Sequence, residues 1–442
     1  MVRITIIICK LIKKWAKKLG RGSSFPGKVA LKLCPNILSR ITLPEITIAV
    51  TGSNGKTTTV EMINSLLVKQ GYSVAYNYEG SNQIEGVTTL ILDNCDNDGK
   101  FLKDVLLMEV DERYARYIFK FFAPKYYVIN NLYRDQMTRN GHPEYVLKAI
   151  ADSIRPESTL ILNGDDPLIA SLAEKFENKA IYFGIDDNEY TSEECDSVYD
   201  DGYYCPVCHH RMTYDYRQFA HVGAYHCLNC GFQRKDPEYH ISKLDLESGE
   251  LVINNRYRIT MALKTIYNAY NTVAAFALGS LLGLDKKYLR EDLNNFMIKN
   301  GRVRRFKTGR LEGTLLISKH ENTMSYNRNL DYVVGREENV ILLLIIDDIS
   351  RKYFTSDTSW LWDISFDKLN SANITEIVTA GKYEYDIAVR FEYAGVNMDK
   401  VVMYRSVPEA IAYLRNKPKG ILYCMTCFSD QDKLLNEVEV LN

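Results

Sequence analysis

The chain has almost no net charge, no long apolar run and no repeated or low-complexity tract, and each absence removes a class of function. Fifty-five Lys and Arg against 56 Asp and Glu leave a formal charge of −1, so there is no basic domain of the kind that meets nucleic-acid phosphates. No stretch reaches the ~18 apolar residues of a membrane-spanning helix. The start does not read as a secretory signal. The apolar run Ile4–Ile8 is short, its lysines (Lys10, Lys13, Lys14, Lys17, Lys18) follow it, and no small-residue cleavage site appears. The ten cysteines do not form the framework of a secreted protein. Four stand as two Cys-x-x-Cys pairs, two more form Cys424-x-x-Cys427, and the rest are isolated, a pattern of metal binding in a reducing compartment. The expectation is a cytoplasmic protein. Residues 1–19, with Leu11, Ile12 and Trp15 among the lysines, fit two readings: a surface helix packed on its own domain, or a basic amphipathic helix at the inner membrane face.

What is present is organised around residues 46–60. Ile46 to Val50 read as a buried strand, Gly52 and Gly55 mark a tight turn, and a helix starts at Thr57 with Val60, Met62, Ile63, Leu66 and Leu67 for its buried side. Strand, glycine turn, lysine, hydroxyl and helix form a phosphate cradle. Backbone N–H groups of Gly52, Asn54, Gly55 and Thr58 and the helix N-terminus face the anion, Lys56 reaches the terminal phosphates, and the Thr57 hydroxyl ligates Mg²⁺. Val50 stands where the longer phosphate-loop pattern has its first glycine, so this is the shorter Gly-x-x-Gly-Lys-Thr form. A glycine turn with a solvated lysine is the plainer alternative.

At 442 residues the chain has room for two or three domains, each with its own core. After the phosphate loop, strands are expected over 73–77, 105–110, 126–130 and 159–163, alternating with helical segments, which argues for a parallel, doubly wound sheet with ligands at the strand C-terminal ends. The third strand of the chain stops in Glu109-Val-Asp111-Glu112. Alternation puts Glu109 and Asp111 on one face and Glu112 on the other, and Glu109 suits a Mg²⁺ bridging nucleotide phosphates. Simple solvation at a strand end is the alternative.

The pattern then breaks. Cys205-x-x-Cys208 and Cys227-x-x-Cys230 have the spacing of a tetrahedral thiolate Zn²⁺ site with no open position for catalysis, against reduced or disulfide-linked thiols. His209, His210, His221 and His226 nearby read as exposed loop histidines. Strands resume near 239–258, followed by a helix from Tyr267 through Leu282. Its first turn offers Tyr267, Asn268 and Asn271, which suit an adenine or merely cap and pack the helix. Gly301-Arg302 marks a domain boundary. The last third alternates strands (315–318, 340–346, 376–379, 400–403, 420–424) with helices as a second, Rossmann-like α/β unit, interrupted by Asp357-Thr-Ser-Trp-Leu-Trp-Asp363.

Thr51-Gly-Ser-Asn-Gly-Lys-Thr-Thr-Thr59, Glu109, Tyr267-Asn-x-Tyr-Asn271 and Gly301-Arg302 resemble the ATP-binding motifs of the Mur ligases, which activate a carboxylate as an acyl phosphate for attack by an amine. A finer resemblance lies in Pro26-Gly-Lys28, Glu79-Gly-Ser-Asn82, Asn130-Asn-Leu-Tyr-Arg-Asp-Gln136, the four-cysteine insertion, Asp357-x-Ser-Trp-x-Trp-Asp363 and Tyr393-Ala-Gly395. It is to the Mur ligase-like subunits that amidate the D-glutamate of lipid II to D-isoglutamine.

The resemblance implies an α/β fold. Residues 45–299 would form a central parallel-sheet ATPase domain with a zinc ribbon inserted at about 195–240, after an N-terminal segment 1–44 and before a Rossmann-like domain 300–442. It implies ATP, Mg²⁺ and Zn²⁺ as cofactors. Lys56 and the loop would hold the triphosphate, Thr57 and Glu109 the Mg²⁺, Tyr267 and Asn268 the adenine, and Arg302 would reach the phosphates. It also implies a GatD-like glutaminase subunit forming a heterodimer, whose histidine is completed by Asp357, with Asp363 in reserve, and a lipid II substrate at the membrane surface. The chain itself has no Cys–His constellation for releasing ammonia. It departs from the family pattern in His320-Glu-Asn-Thr-Met-Ser-Tyr-Asn327, in Lys352–Ser356 and in Cys424/Cys427. A ligase adding an amino acid, or a zinc-ribbon protein binding nucleotide or nucleic acid without catalysis, are the other readings.

Overall fold

The structure is a computed structural model and describes residues 1–18, 23–77, 80–296, 303–349 and 356–441. Glu79, Gly301, Arg302 and most of the 352–356 stretch therefore lie outside the described residues. Two compact units are present. One holds residues 1–133, 143–196 and 200–298; the other holds 134–142, 197–199 and 299–442.

In chain order the first unit runs α1 (Val2–Lys18), α2 (Ser24–Leu33), β1 (Ile46–Thr51), α3 (Lys56–Lys69), β2 (Val74–Tyr76), α4 (Ile84–Asp93), β3 (Val105–Glu109), α5 (Ala115–Ile118) and β4 (Tyr126–Ile129). After α6 (Met137–Asn140), which belongs to the second unit, it resumes with α7 (Pro143–Ala151), β5 (Thr159–Asn163), α8 (Pro167–Ala170), β6 (Ala180–Ile185), β7 (Thr213–Phe219) and β8 (Val222–His226). It closes with β9 (Tyr239–Asp245), β10 (Glu250–Ile253), β11 (Tyr257–Thr260), α9 (Ile266–Leu281) and α10 (Lys286–Asn294).

Nine strands form one sheet in the order β11-β10-β9-β6-β5-β4-β1-β3-β2. From β2 to β9 neighbouring strands run parallel, and β9, β10 and β11 form an antiparallel meander at the edge. Helices cover both faces, so the central strands read as near-continuous apolar runs: Ile48, Ala49, Val50 and Leu106 to Met108 are fully buried. β1 lies between β3 and β4, and the chain winds to opposite sides on either side of it. The C-terminal end of β1 is thus the topological switch point, where open α/β sheets place their ligands. Helix α2 packs closely on α4 because Gly27 has no side chain; a Cβ there would stand 1.9 Å from the Glu85 carbonyl oxygen. α1 packs on its own unit through Thr5, Ile6, Cys9 and Ala16. No helix among the described residues is long and apolar enough to cross a membrane.

The second unit contains β12 (Val303–Thr308), β13 (Leu311–Ser318), α11 (Thr323–Val334), β14 (Val340–Ile345), β15 (Ile374–Ala380), α12 (Glu384–Tyr393), β16 (Val401–Tyr404), α13 (Val407–Arg415), β17 (Gly420–Cys427), α14 (Gln431–Leu435) and β18 (Glu439–Leu441). Its sheet has the order β16-β15-β14-β17-β13-β12-β18. The five strands from β16 to β13 are parallel, while β12 and β18 add an antiparallel edge. Sequence pattern had pointed to the five parallel strands and not to these two. β12 alternates charge with one deeply buried Phe306, and β18 has only three residues, all exposed, so neither carries an apolar run.

Candidate active site

The glycine turn after β1 adopts the backbone that its residues dictate. Gly52 has φ +132° and Gly55 φ +81°, both in the range that favours glycine, and a Cβ on Gly55 would stand 2.2 Å from Asn271 Oδ1. Two loop amides are already engaged. Ser53 N–H donates to the Asn131 carbonyl (3.0 Å) and Asn54 N–H, one of the amides expected at the anion, to Asn131 Oδ1 (2.9 Å). Tyr133 N–H donates to Ser53 Oγ (2.9 Å), and Ser53 Oγ–H to the Tyr133 carbonyl (3.1 Å). The loop after β4 therefore fixes the phosphate loop from the side. Thr58, in the first turn of α3, is half-buried.

Lys56 opens α3 and is buried. Its ammonium donates to the Gly52 carbonyl and pairs with Glu112 Oε2 at 2.9 Å, with side-chain exposures of 8% and 4%. This corrects the assignment of faces at the end of β3. The strand ends at Glu109, alternation stops there, and the following turn swings Glu112 back to Lys56. Asp111 instead accepts from Arg113 N–H at 3.1 Å, within its own turn. Glu109 is held on both sides. Asn77 bonds its backbone N–H and C=O (2.8 Å each), Asn82 Nδ2 donates to Oε1 (3.1 Å), and the Thr57 hydroxyl donates to Oε2 (2.8 Å). A carboxylate and a hydroxyl so close at a helix N-terminus are hard oxygen donors of the kind Mg²⁺ takes.

Helix α9 approaches from the other side. Asn130 Nδ2 donates to Thr59 Oγ1 (2.9 Å), which donates to Asn271 Oδ1 (3.2 Å), a buried chain joining the end of β4, α3 and α9. Asn271 thus braces the phosphate-loop helix. Thr265 caps α9 through the Asn268 N–H; Asn268 Nδ2 donates to the Leu263 carbonyl (3.1 Å), and its Oδ1 is buried without a hydrogen-bond partner among the described residues. Tyr267 is half-buried, with its ring 4.3 Å from that of Phe219 on β7. Sequence alone assigns no site role to Asn77, Asn130, Asn131 or Glu112, although three of them are asparagines just after strand ends, where side chains bond neighbouring backbone.

The four cysteines converge. Cys205 and Cys230 sulfurs are 3.7 Å apart, Cys208 and Cys227 sulfurs 3.5 Å, and all four lie within 4.8 Å of one another. Thiolates around a tetrahedral ion with ~2.3 Å bonds stand about 3.8 Å apart, so the cluster matches that geometry. The backbone N–H of His210 holds the Cys208 thiol down to about 5, whereas burial pushes Cys205 up to about 12. His209 and His210 are exposed. His221 is not: it is buried, 3.7 Å from Asp166 and 5.5 Å from the Tyr133 ring, because the turn between β7 and β8 inserts it beneath the turn after β5. Burial works against its charged form, but Asp166 more than offsets this and raises its pKa. A second buried network fastens the returning arm of the insertion. Asp165 accepts from Arg234 Nε (2.6 Å), Tyr270 O–H (2.7 Å) and Ile185 N–H (2.7 Å).

In the second unit the two candidate acids have different surroundings. Asp357 is exposed, and its Oδ1 accepts from Ser359 N–H at 2.9 Å. Asp363 is held by Arg134 Nη1 at 3.2 Å to both carboxylate oxygens. The two tryptophans between them part company: Trp360 is buried against Tyr326, and Trp362 lies exposed beside Tyr393. The divergent loop His320–Asn322 has a local partner. Asn322 Nδ2 donates to Asp135 Oδ1 (2.7 Å), Gln136 N–H to the Glu321 carbonyl (3.1 Å) and Thr138 N–H to Glu321 Oε2 (3.1 Å). Burial pushes the Glu321 carboxyl up. Cys424 and Cys427 are buried in β17, with Cys427 Sγ 3.5 Å from Asp430.

Comparison with known proteins bears on this site. A model of the Mur ligase middle domain matches residues 50–215, and one of the MurT ligase C-terminal region matches 320–430. The lipid II isoglutaminyl synthase (glutamine-hydrolyzing) subunit MurT of Streptococcus pneumoniae (strain ATCC BAA-255 / R6) is 30% identical over 422 residues, covering 93% of this chain and 91% of that protein. Its counterpart in Staphylococcus aureus (strain COL) is 28% identical, covering 92% of each. Among solved structures, a pseudomurein peptide ligase type C from Methanothermus fervidus shares the fold with a TM-score of 0.69 at 18% identity, covering 90% of this chain and 79% of that one. Since both matched regions and the full-length likeness fall on the same kind of protein, this chain belongs to the MurT family of Mur ligase-like proteins.

Proposed function

We propose that this chain is the ATP-dependent, amide-forming subunit of a lipid II isoglutaminyl synthase in peptidoglycan biosynthesis. The observation that carries the reading is the likeness to MurT over nearly the whole chain, in a protein whose phosphate loop keeps Lys56, Thr57 and Glu109 within one cluster. The acceptor is the α-carboxylate of D-glutamate in the lipid II stem peptide. Its oxygen attacks the terminal phosphorus of ATP, ADP leaves, and the acyl phosphate forms. Ammonia then attacks the carbonyl carbon, and phosphate departs with the former carboxylate oxygen.

Lys56 neutralises the charge gathering on the transferred phosphoryl group, and Glu112 holds Lys56 in place before nucleotide arrives. Thr57 and Glu109 would hold Mg²⁺, whose charge would offset that of the phosphate oxygens. The triphosphate rests on the loop from Gly52 through Thr58. Tyr267 and the unpartnered Oδ1 of Asn268 suit an adenine and its amino group, with Asn271 behind them. Cys205, Cys208, Cys227 and Cys230 hold a structural Zn²⁺ in a ribbon at about 195–240; their sulfur spacing fits a closed thiolate site.

In domain terms, 1–44 is an N-terminal segment, 45–299 the ATP-binding domain and 300–442 a Rossmann-like C-terminal domain. Ammonia comes from a GatD-like glutaminase partner in a heterodimer working at the cytoplasmic membrane face. Asp357 orients that partner's histidine. Its exposure supports this choice over Asp363, which Arg134 occupies, and exposed Trp362, Tyr385 and Tyr393 nearby suit a protein surface. Purified chain, candidate glutaminase, lipid II, ATP and glutamine should together give amidated lipid II by mass. A product enlarged by an amino acid, or no ATP turnover with acceptor present, would overturn the reading.

A further inference from the structure

Helix α1 buries one face against its own unit and exposes the opposite one. Thr5, Ile6, Cys9 and Ala16 are buried against the neighbouring helices, Lys13 pairs with Asp93 at 2.7 Å, and the Lys10 ammonium donates to the Cys95 carbonyl. By the 3.6-residue repeat, Ile4, Ile7, Leu11 and Trp15 line up on the other side. They are 62%, 37%, 53% and 66% exposed. Arg3 and Lys14 flank this stripe, both exposed on α1. The N-terminal segment itself carries charge of one sign. Residues 1–44 contain ten Lys and Arg and no Asp or Glu, so the rest of this net −1 chain carries eleven negative charges in excess.

We propose that α1 docks on a bilayer with anionic headgroups, lying in the interface with Ile4, Ile7, Leu11 and Trp15 toward the acyl chains and its basic flank toward the headgroups. An apolar stripe edged by lysines, with a tryptophan at the water boundary, is the form of an in-plane helix. A second copy of the chain is a poorer occupant, because two segments of the same strong positive charge would face each other. The docked helix sits next to the site. Lys13 of α1 lines a small pocket together with Tyr76, Asn77 and Ser81, and Ser81 precedes Asn82, which bonds Glu109. Membrane docking at α1 thus brings the acceptor's lipid side to the loop that holds the Mg²⁺ ligand. The proposal takes from the proposed function only that the acceptor is lipid-linked; its evidence is the helix itself.

The test is flotation of the full chain with vesicles of equal parts phosphatidylglycerol and phosphatidylcholine, and with phosphatidylcholine alone. The wild type should float with the anionic vesicles only, and high salt should release much of it. The double variant Leu11→Ser/Trp15→Ser, at exposed positions, should lose about tenfold or more of the binding and melt at the wild-type temperature. Arg3→Gln/Lys14→Gln should weaken binding to anionic vesicles. Absence of wild-type flotation, or equal flotation of the apolar variant, would overturn the proposal. So would a self-association of the free protein that Leu11→Ser/Trp15→Ser abolishes while vesicle binding persists. Flotation needs no catalysis, so its outcome is separate from that of the amidation reading. With both correct, the apolar variant amidates a soluble acceptor lacking the lipid chain at the wild-type rate and loses activity on vesicle-borne acceptor.

Discussion

Arg234→Met is the sharpest probe of how the four-cysteine insertion is fastened to the ATP-binding unit. Asp165 stands at the end of β5 with no solvent exposure, and Arg234, four residues after Cys230, is its charged partner at 2.6 Å. Gly184 allows the approach, since a Cβ there would lie 2.4 Å from Asp165 Oδ1. Methionine keeps the length and most of the packing and removes the charge. Removing one partner of a buried ion pair costs about 3–5 kcal/mol, which at about 2 °C per kcal/mol is a fall of about 6–10 °C in Tm.

The sign of the pH effect follows from the carboxyl. Burial raises the Asp165 pKa in the folded protein, and Arg234 and Tyr270 pull it back part of the way. A carboxyl with a raised folded pKa binds protons better folded than unfolded, so its contribution to stability falls as pH rises from the unfolded pKa through the folded one. Without Arg234 that window reaches higher. The deficit of the variant should therefore be larger at neutral pH than at mildly acidic pH, and adding Asp165→Asn should recover much of it. Calorimetry of both variants at the two pH values is the assay. A deficit under about 1 kcal/mol, or one independent of pH, would refute the view that Arg234 holds a buried carboxylate.

Three further outcomes are expected. Lys56→Ala should lower acceptor-dependent phosphate release by about a hundredfold or more, and near-normal release would remove Lys56 from the phosphate site. Cys205→Ser should cut zinc well below about one ion per chain by elemental analysis and destabilise the insertion, because metal-binding energy is folding energy in such sites; metal-free wild type under reducing conditions would contradict this. Asp357→Asn should lower glutaminase activity of the complex by orders of magnitude while ammonium-driven amidation persists; loss at Asp363 alone would transfer the role, and unchanged glutamine-driven synthesis in both variants would end it.

The phosphate loop was legible because it is local: a buried strand, two positive-φ glycines and a helix start lie within fifteen residues and need no tertiary information. The four cysteines were legible because spacing alone implies convergence. Glu112 was misjudged because alternation was carried past Val110, the last residue hydrogen-bonded to β1, after which the chain turns. Asn131 and Asn130 act on segments some seventy residues earlier, and Arg234 on a residue sixty-nine before it, separations over which periodicity says nothing. His221 looked like a loop histidine by its neighbours, yet a hairpin carries it inward onto Asp166. Trp360 and Trp362 face different surroundings, since a tight helical turn rotates residues two apart to different sides. The pairing of Asp363 with Arg134 was not legible, since the two are 229 residues apart in sequence.

The central claim is that this chain converts a carboxylate into an amide through phosphoryl transfer. The most direct test is one turnover with ATP, ammonium and a lipid II acceptor whose D-glutamate α-carboxylate carries heavy oxygen, with both products read by mass spectrometry. The account predicts that one labelled oxygen leaves in the released phosphate and that the acceptor gains nitrogen in its place as a primary amide. Phosphate released without the label, or an acceptor that keeps both labelled oxygens while ATP is consumed, would contradict it.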